Sequence, residues 1–263
     1  MELGLQNKVA LVAASSRGLG RAVAEELAEE GASLILCARA EGPLNEVRDS
    51  LSRKVAGRVI AVPADLSVAA DVERVVGRGL EHFGHIDVLV TNGGGPPAGP
   101  FESLSREAWD AAARLVLASV IDLTRLVLPG MKARRWGRIL NVTSIAVKQP
   151  VANLMLSNSL RAAVTGFART LANETAAYGI TVNNILPGYT RTDRVEQLAE
   201  AIGAKDGVAA EAVKARWEAE IPMRRLGEPR EFAALAAFLV SERAGYITGS
   251  SIAVDGGWIR SLF

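Results

Sequence analysis

The chain has 263 residues, 49% of them apolar, and a formal net charge of +1 with its basic residues scattered. That length suits one α/β domain with a large core, and the charge pattern excludes an obvious nucleic-acid or membrane surface. The opening MELGLQNK has no apolar core like that of a signal peptide, no run reaches membrane-spanning length, and the lone Cys37 cannot form an internal disulfide, so a reducing cytoplasm is expected.

Val9 to Ala13 is a short apolar run that predicts a strand, broken at Ser15-Ser16. From Leu19 the apolar residues take helical spacing, with Val23, Leu27 and Ala28 on one face and Arg21, Glu25, Glu26 and Glu29 on the other. Gly31 ends that helix, and Ala32 to Cys37 is a second buried run. Strand, glycine-containing turn, helix and strand make a parallel βαβ unit. The turn holds Ser15, Ser16, Arg17, Gly18, Leu19 and Gly20. Glycines at the mouth of a helix let a diphosphate approach free N–H groups, so nucleotide binding is predicted. The acid that would hold the ribose of NAD belongs about 20 residues on. Arg39 stands there instead, with Arg17 in the loop. Two guanidinium groups suit a 2′-phosphate, so NADP(H) is predicted over NAD(H).

Leu44 to Val55 reads as helix and Arg58 to Val62 as strand, with Asp65-Leu66 at its carboxyl end, the edge where open α/β sheets bind ligands. Asp71 to Phe83 is the next helix. His82 and His85 flank its end and read as exposed cap residues rather than metal ligands, and no metal is expected. Asp87 to Thr91 is a fourth strand running into Asn92, Gly93 and Gly94. A long helix from about Arg106 to Met131 leads to a strand from Arg138 to Val142.

Taken together, the motifs ASSRGLG, Asp65-Leu66, Asn92-Gly93-Gly94, GRILNVTS at 137–144, Pro187-Gly188-Tyr189-Thr190-Arg191-Thr192 and GSSIAVDGGW at 249–258 carry a resemblance over nearly the whole chain. The chain resembles the short-chain dehydrogenases/reductases, most closely their 3-oxoacyl-carrier-protein-reductase-like branch. The resemblance implies a Rossmann-type, doubly wound, seven-stranded parallel sheet with helices on both faces, in a single domain. It implies NADP(H) along the strand ends, with Pro187, Gly188, Thr190 and Thr192 on the nicotinamide and phosphate side. A substrate lid is implied at about 191–226, and a homodimer or homotetramer is the implied assembly.

The family's catalytic pattern is an Asn in the central helix, a Ser ending the fifth strand, then Tyr and Lys in the following helix. Only Ser144 matches; by spacing Ser157 takes the Tyr position, Arg161 the Lys position and Val116 the Asn position. The chain therefore looks like a divergent subgroup with an imperfect tetrad. Ser157 and Arg161 are four apart on one helix and share a face. Arg161 offers charge and ribose hydrogen bonds but keeps its proton near neutral pH, while Ser157 is a short, weak acid. Tyr189, in the loop expected to pass the nicotinamide, and Lys148, just beyond Ser144, read as ordinary loop residues, with a turn inward to the pocket as the alternative. Apolar residues of the lid (Val195, Leu198, Ile202, Val213, Trp217) suggest a lipophilic carbonyl substrate, and the small residues Ala162, Ala163, Gly166 and Ala168 suit a paired helix. Two readings stand: an NADPH-dependent carbonyl reductase with altered acid–base chemistry, or a nucleotide-binding protein without turnover, acting as a sensor or oligomer partner.

Overall fold

A computed structural model describes residues 2–55 and 58–262. The first strand, β1 (Val9–Ala13), is buried along its whole length. Its side chains alternate between two cores: Ala10 and Val12 enter one, while Val9, Leu11 and Ala13 enter the other. A strand apolar on both faces must lie inside a covered sheet, and this run does.

Six more strands join it: β2 (Ser33–Ala38), β3 (Val59–Pro63), β4 (Val88–Thr91), β5 (Gly137–Val142), β6 (Ile180–Pro187) and β7 (Ser251–Val254). All pairings are parallel, in the order β3-β2-β1-β4-β5-β6-β7. The helices α1 (Gly18–Glu29), α2 (Glu41–Ser52) and α9 (Pro229–Leu239) supply one core, around Leu27, Leu44 and Phe232. The other core is closed by α3 (Ala69–Phe83), α5 (Ser119–Arg134) and α6 (Met155–Thr175), around Val75, Leu123 and Ala168. This is the doubly wound sheet expected. The strand order reverses between β1 and β4, so their following loops diverge and open a crevice at the carboxyl edge.

Several boundaries move. The helix expected from Leu44 starts at Glu41, and that expected from Asp71 starts at Ala69. The long helix expected from Arg106 divides into α4 (Arg106–Ala113), a π-helical segment (Arg114–Ala118) and α5. Val116 sits in that π segment, buried against Val120 and Val164. Wide turns of this kind recur at functional sites. The 191–226 stretch forms α7 (Asp193–Asp206) and α8 (Ala210–Glu220).

A buried polar chain ties the strands together. Thr91 Oγ1 donates to Asn141 Oδ1 at 2.8 Å, Asn141 Nδ2 to Asn184 Oδ1 at 3.3 Å, and Asn184 Nδ2 to Ser251 Oγ at 3.1 Å. It crosses β4, β5, β6 and β7, from the end of β4 to the start of β7, and ties these strands side by side. His85 is not the exposed cap residue expected: it is half-buried, and its Nε2 lies 3.1 Å from buried Asp87, which also accepts from Val9 N. Among the described residues no helix is long and apolar enough to cross a membrane.

Candidate active site

The β1 turn is shaped for close approach. Ala14 takes φ 51°, a left-handed value that usually calls for glycine, and Gly18 takes φ 57°. A β-carbon on Gly20 would meet Ala14 O at 2.3 Å, so only glycine lets α1 start this close to the turn. The residue before α1, Arg17, makes no side-chain cap, which leaves the first-turn N–H groups available to an anion. Ser15 is placed differently from Ser16: it is fully buried, and its hydroxyl accepts from Cys37 N at 3.1 Å. It joins β1 to β2 instead of lining the crevice. Cys37 itself is buried, which pushes its thiol up to about 12 and leaves it inert.

Around the rim the cations and glycines collect. Arg17 reaches Asp193 of α7 at 3.9 Å across the crevice, both side chains about two-thirds exposed. Arg39 is exposed at the end of β2, and its charge helps Ser67's two hydrogen bonds hold the Asp65 carboxyl below its usual range. Asn92, Gly93 and Gly94 follow β4; a β-carbon on Gly93 would sit 3.4 Å from the Leu115 carbonyl of the π segment, while Gly94 opens on free space. A β-carbon on Gly188 would lie 2.7 Å from Asp255 Cα, which fixes the Pro187-Gly188 corner against the end of β7. Thr192 faces Gly18, 3.6 Å from a β-carbon built there. The hydroxyls of Thr190 and Thr192 are engaged in their own loop, donating to Gly188 O and Thr190 O at 3.3 Å. Leu66 packs beside the second core and borders the recess below. This donor set, cationic at the ribose end and rich in free N–H groups at the phosphate end, fits a phosphorylated dinucleotide.

At the other end of the crevice Ser157 and Arg161 meet. Arg161 Nε donates to Ser157 Oγ at 3.2 Å, and its Nη1 donates to the carbonyls of Val142 and Thr143 at 2.9 Å each. Arg161 thus bolts α6 to the strand end that carries Ser144. Ser144 Oγ accepts from Ala146 N at 3.1 Å, capping a short 3₁₀ turn. Each serine hydroxyl thus accepts one bond and keeps its own hydrogen for a further acceptor. Burial, followed by the charge of Arg194, lowers the Arg161 pKa to about 10. That is close to the ordinary value of lysine, about 10.4.

Beneath Arg161 lies a small recess bordered by Asn92, Val116, Val120, Thr143 and Val164. Valine at 116 makes this wall apolar. Thr143, which sequence reasoning did not single out, is 3% exposed and its Oγ1 has no hydrogen-bond partner among the described residues. The remaining candidates lie elsewhere. Lys148 is exposed beyond the 3₁₀ turn. Tyr189 stacks on Trp217 at 4.6 Å and 11°, with Trp258 edge-on at 6.1 Å, and burial raises its pKa. Val213 and Trp217 are buried in a small core with this same group, and Val195, Leu198 and Ile202 pack against it while staying half-buried.

A family model described as enoyl-(acyl carrier protein) reductase matches residues 13–259. The chain is 35% identical over 255 residues to the 3-oxoacyl-[acyl-carrier-protein] reductase FabG of Vibrio cholerae, covering 97% of this chain and 98% of that one. It is 31% identical over 259 residues to the NADPH-dependent reductase BacG of Bacillus subtilis, covering 98% and 100%. Among solved structures, the L-sorbose reductase of Gluconobacter frateurii, complexed with NADPH and L-sorbose, superposes with a TM-score of 0.95 at 35% identity, covering 100% of both chains.

Proposed function

The chain belongs to the short-chain dehydrogenase/reductase family of oxidoreductases, and we propose that it uses NADP(H) to reduce a 3-oxoacyl-like or other ketone with altered acid–base residues. The observation that carries this reading is the Arg161–Ser157 hydrogen bond, which rebuilds a polarised hydroxyl where the family keeps its phenol.

In this reading Ser16, Gly18, Leu19 and Gly20 take the diphosphate on the first turn of α1. Arg17 and Arg39 take the 2′-phosphate, with Asp65 and Leu66 beside the adenine end. Asn92, Gly93, Gly94, Arg161, Pro187, Gly188, Thr190 and Thr192 border the nicotinamide half. The bound cofactor supplies the hydride. Ser157 and Ser144 then offer their free hydrogens to the carbonyl oxygen, and Arg161 steadies negative charge arising on Ser157. Burial lowers the Arg161 pKa to about 10, and the group stays charged at neutral pH. A serine hydroxyl remains a poor acid, so a loss of about 10²–10⁴ against a phenol is expected.

Val116 favours the second reading, a nucleotide-binding protein without turnover, because an apolar wall gives no foothold to the family's water relay. A panel of ketones and alcohols followed by nicotinamide absorbance separates the two. Turnover that falls in Ser157→Ala supports the reductase, whereas tight NADPH binding with no turnover on any substrate sinks it. The stretch 191–226 serves as the lid of a single 1–263 domain. A cytoplasmic homodimer or homotetramer is the proposed working form.

A further inference from the structure

Asn92 is the only asparagine in the sequence that is followed by glycine. It comes straight after β4 and opens a stretch, 92–98, that lies in no helix or strand. The residue is half-buried, so water reaches it. Among the described residues neither its side-chain amide nor the Gly93 N–H makes a hydrogen bond. Gly93 has no β-carbon, which leaves its nitrogen room to turn toward the Asn92 amide carbon. Gly94 and Gly95 follow, both exposed, and Gly94 has open space where a β-carbon would stand. Other asparagines are held or shielded. Asn141, Asn183 and Asn184 are buried in strands, with their amides hydrogen-bonded. Asn158 stands inside α6, where the helix fixes the next nitrogen, and Asn153 is followed by the bulky Leu154.

We propose that Asn92 is a site of spontaneous deamidation, and that the acid it yields weakens the hold of the cleft on NADP(H). The Gly93 nitrogen attacks Asn92 Cγ and forms a bond to it. The bond from Cγ to Nδ2 breaks, and the Gly93 proton leaves with the amide nitrogen as ammonia. Solvent water then opens the cyclic imide at either carbonyl. The products are aspartate and its isomer, in which the chain continues through the side-chain carbon. No oxidant or reductant enters. Either product sets a carboxylate at the carboxyl edge of the sheet, where the cleft is assigned to an anionic dinucleotide, and like charges repel. The isomer also lengthens the backbone between β4 and Gly93 by one carbon. Bound cofactor packs on this loop and restrains the amide, so occupancy protects the residue that serves it. The effect on NADP(H) rests on the dinucleotide reading of the site; the chemistry at Asn92 does not.

The test ages the protein at pH 9 for several days, with and without saturating NADPH, and reads peptide masses. Without NADPH the peptide carrying Asn92 should pass from amide to acid, while Asn153 and Asn158 stay unchanged. NADPH should slow that gain at least tenfold. Gly93→Ala, whose β-carbon would stand 3.4 Å from Leu115 O, a van der Waals distance, should slow it to a similar degree. Nicotinamide fluorescence then compares affinities. The protein aged without NADPH should bind NADPH at least tenfold more weakly than fresh protein, and fresh Asn92→Asp should show the same loss. Gly93→Ala aged alike should keep the affinity it had when fresh. Three results overturn the proposal: no acid at Asn92 in the unliganded protein, an equal gain in Gly93→Ala, or aged protein that binds NADPH as tightly as fresh. An equal gain with and without NADPH overturns the protection. Fresh protein that binds no NADPH strikes the reading of the site and the effect on affinity with it, while the masses still decide the modification.

Discussion

Arg161 Nε stands 3.2 Å from Ser157 Oγ, one helical turn away on α6, while the same guanidinium grips the carbonyls of Val142 and Thr143 on β5. Its pKa of about 10 sets a pH window. Below about 10 the group is charged and supports the cleft; above it, the charge is lost. Cofactor affinity, and turnover where present, should therefore fall as pH rises through about 10. Stability moves the other way. The folded-state pKa is depressed, so between about 10 and the ordinary arginine value the unfolded chain holds more protons, and stability contributed by this group grows with pH. NADPH titrations from pH 8 to 11, with circular dichroism to confirm folding, check this. Arg161→Gln should bind weakly throughout and show no step; a step surviving in that variant assigns it to another group.

The cofactor choice rests on Arg17 and Arg39. NADPH should bind at least tenfold tighter than NADH, a gap of about 1.4 kcal/mol. Arg39→Asp should shrink or reverse the ratio, because it places a second carboxylate near Asp65 at the ribose end. Equal affinities in the parent protein would sink the assignment. Ala14, at φ 51°, belongs to the diphosphate turn, so Ala14→Gly should change both affinities alike and leave the ratio untouched.

Asn141 is the middle of the buried chain from Thr91 to Ser251 and is fully buried. Asn141→Ala strands the Thr91 hydroxyl and the Asn184 carbonyl away from water, which costs about 2–3 kcal/mol. In a chain of this size that lowers Tm by roughly 5–10 °C. Thr170→Ala, which removes an exposed hydroxyl bonded within its own helix, should stay within about 0.5 kcal/mol. Similar melting of the two variants would remove the chain's structural role.

The sheet was legible because β1, β2 and β4 are short apolar runs separated by amphipathic helices, and burial on both faces leaves such runs one arrangement. The glycine turn was legible for the same local reason. What sequence hid was mostly non-local. Ser15 reads like a crevice residue, yet its hydroxyl is claimed by Cys37, a partner set by strand pairing. The sequence places Arg161 at the family's lysine position, but not the two β5 carbonyls that fix its guanidinium. Thr143 gave no signal, since an unpartnered hydroxyl depends on what packs around it. The π segment at 114–118 is invisible to helical periodicity, which continues on either side.

Assembly follows from what α6 leaves uncovered. Ala162, Ala163 and Gly166 are exposed, and Gly166 has open space where a β-carbon would stand, while Ala168 is buried against the sheet. A small-residue face of this kind admits a partner helix closely. Sedimentation should show a dimer or tetramer, and Gly166→Glu should dissociate it. A monomer at micromolar concentration would remove the idea.

The decisive variant restores the family's acid. Ser157→Tyr with Arg161→Lys should raise reduction of a test ketone well above the parent's rate, up to the roughly 10²–10⁴ that a positioned acid supplies. The single change Ser157→Tyr should help less. Arg161 holds its planar fork against the Val142 and Thr143 carbonyls and donates along Nε, so a phenol at 157 meets a guanidinium in a fixed pose instead of a mobile ammonium. Arg161→Lys alone should lower the rate, because it frees Ser157 and two carbonyls while adding no acid. Val116 stays apolar in all three, which keeps the double variant below full family activity. Steady-state rates beside NADPH titrations make the comparison. A double variant that binds NADPH normally and gains nothing would show that Ser157 and Arg161 do not stand where the carbonyl is reduced, and the binding-protein reading would then lead.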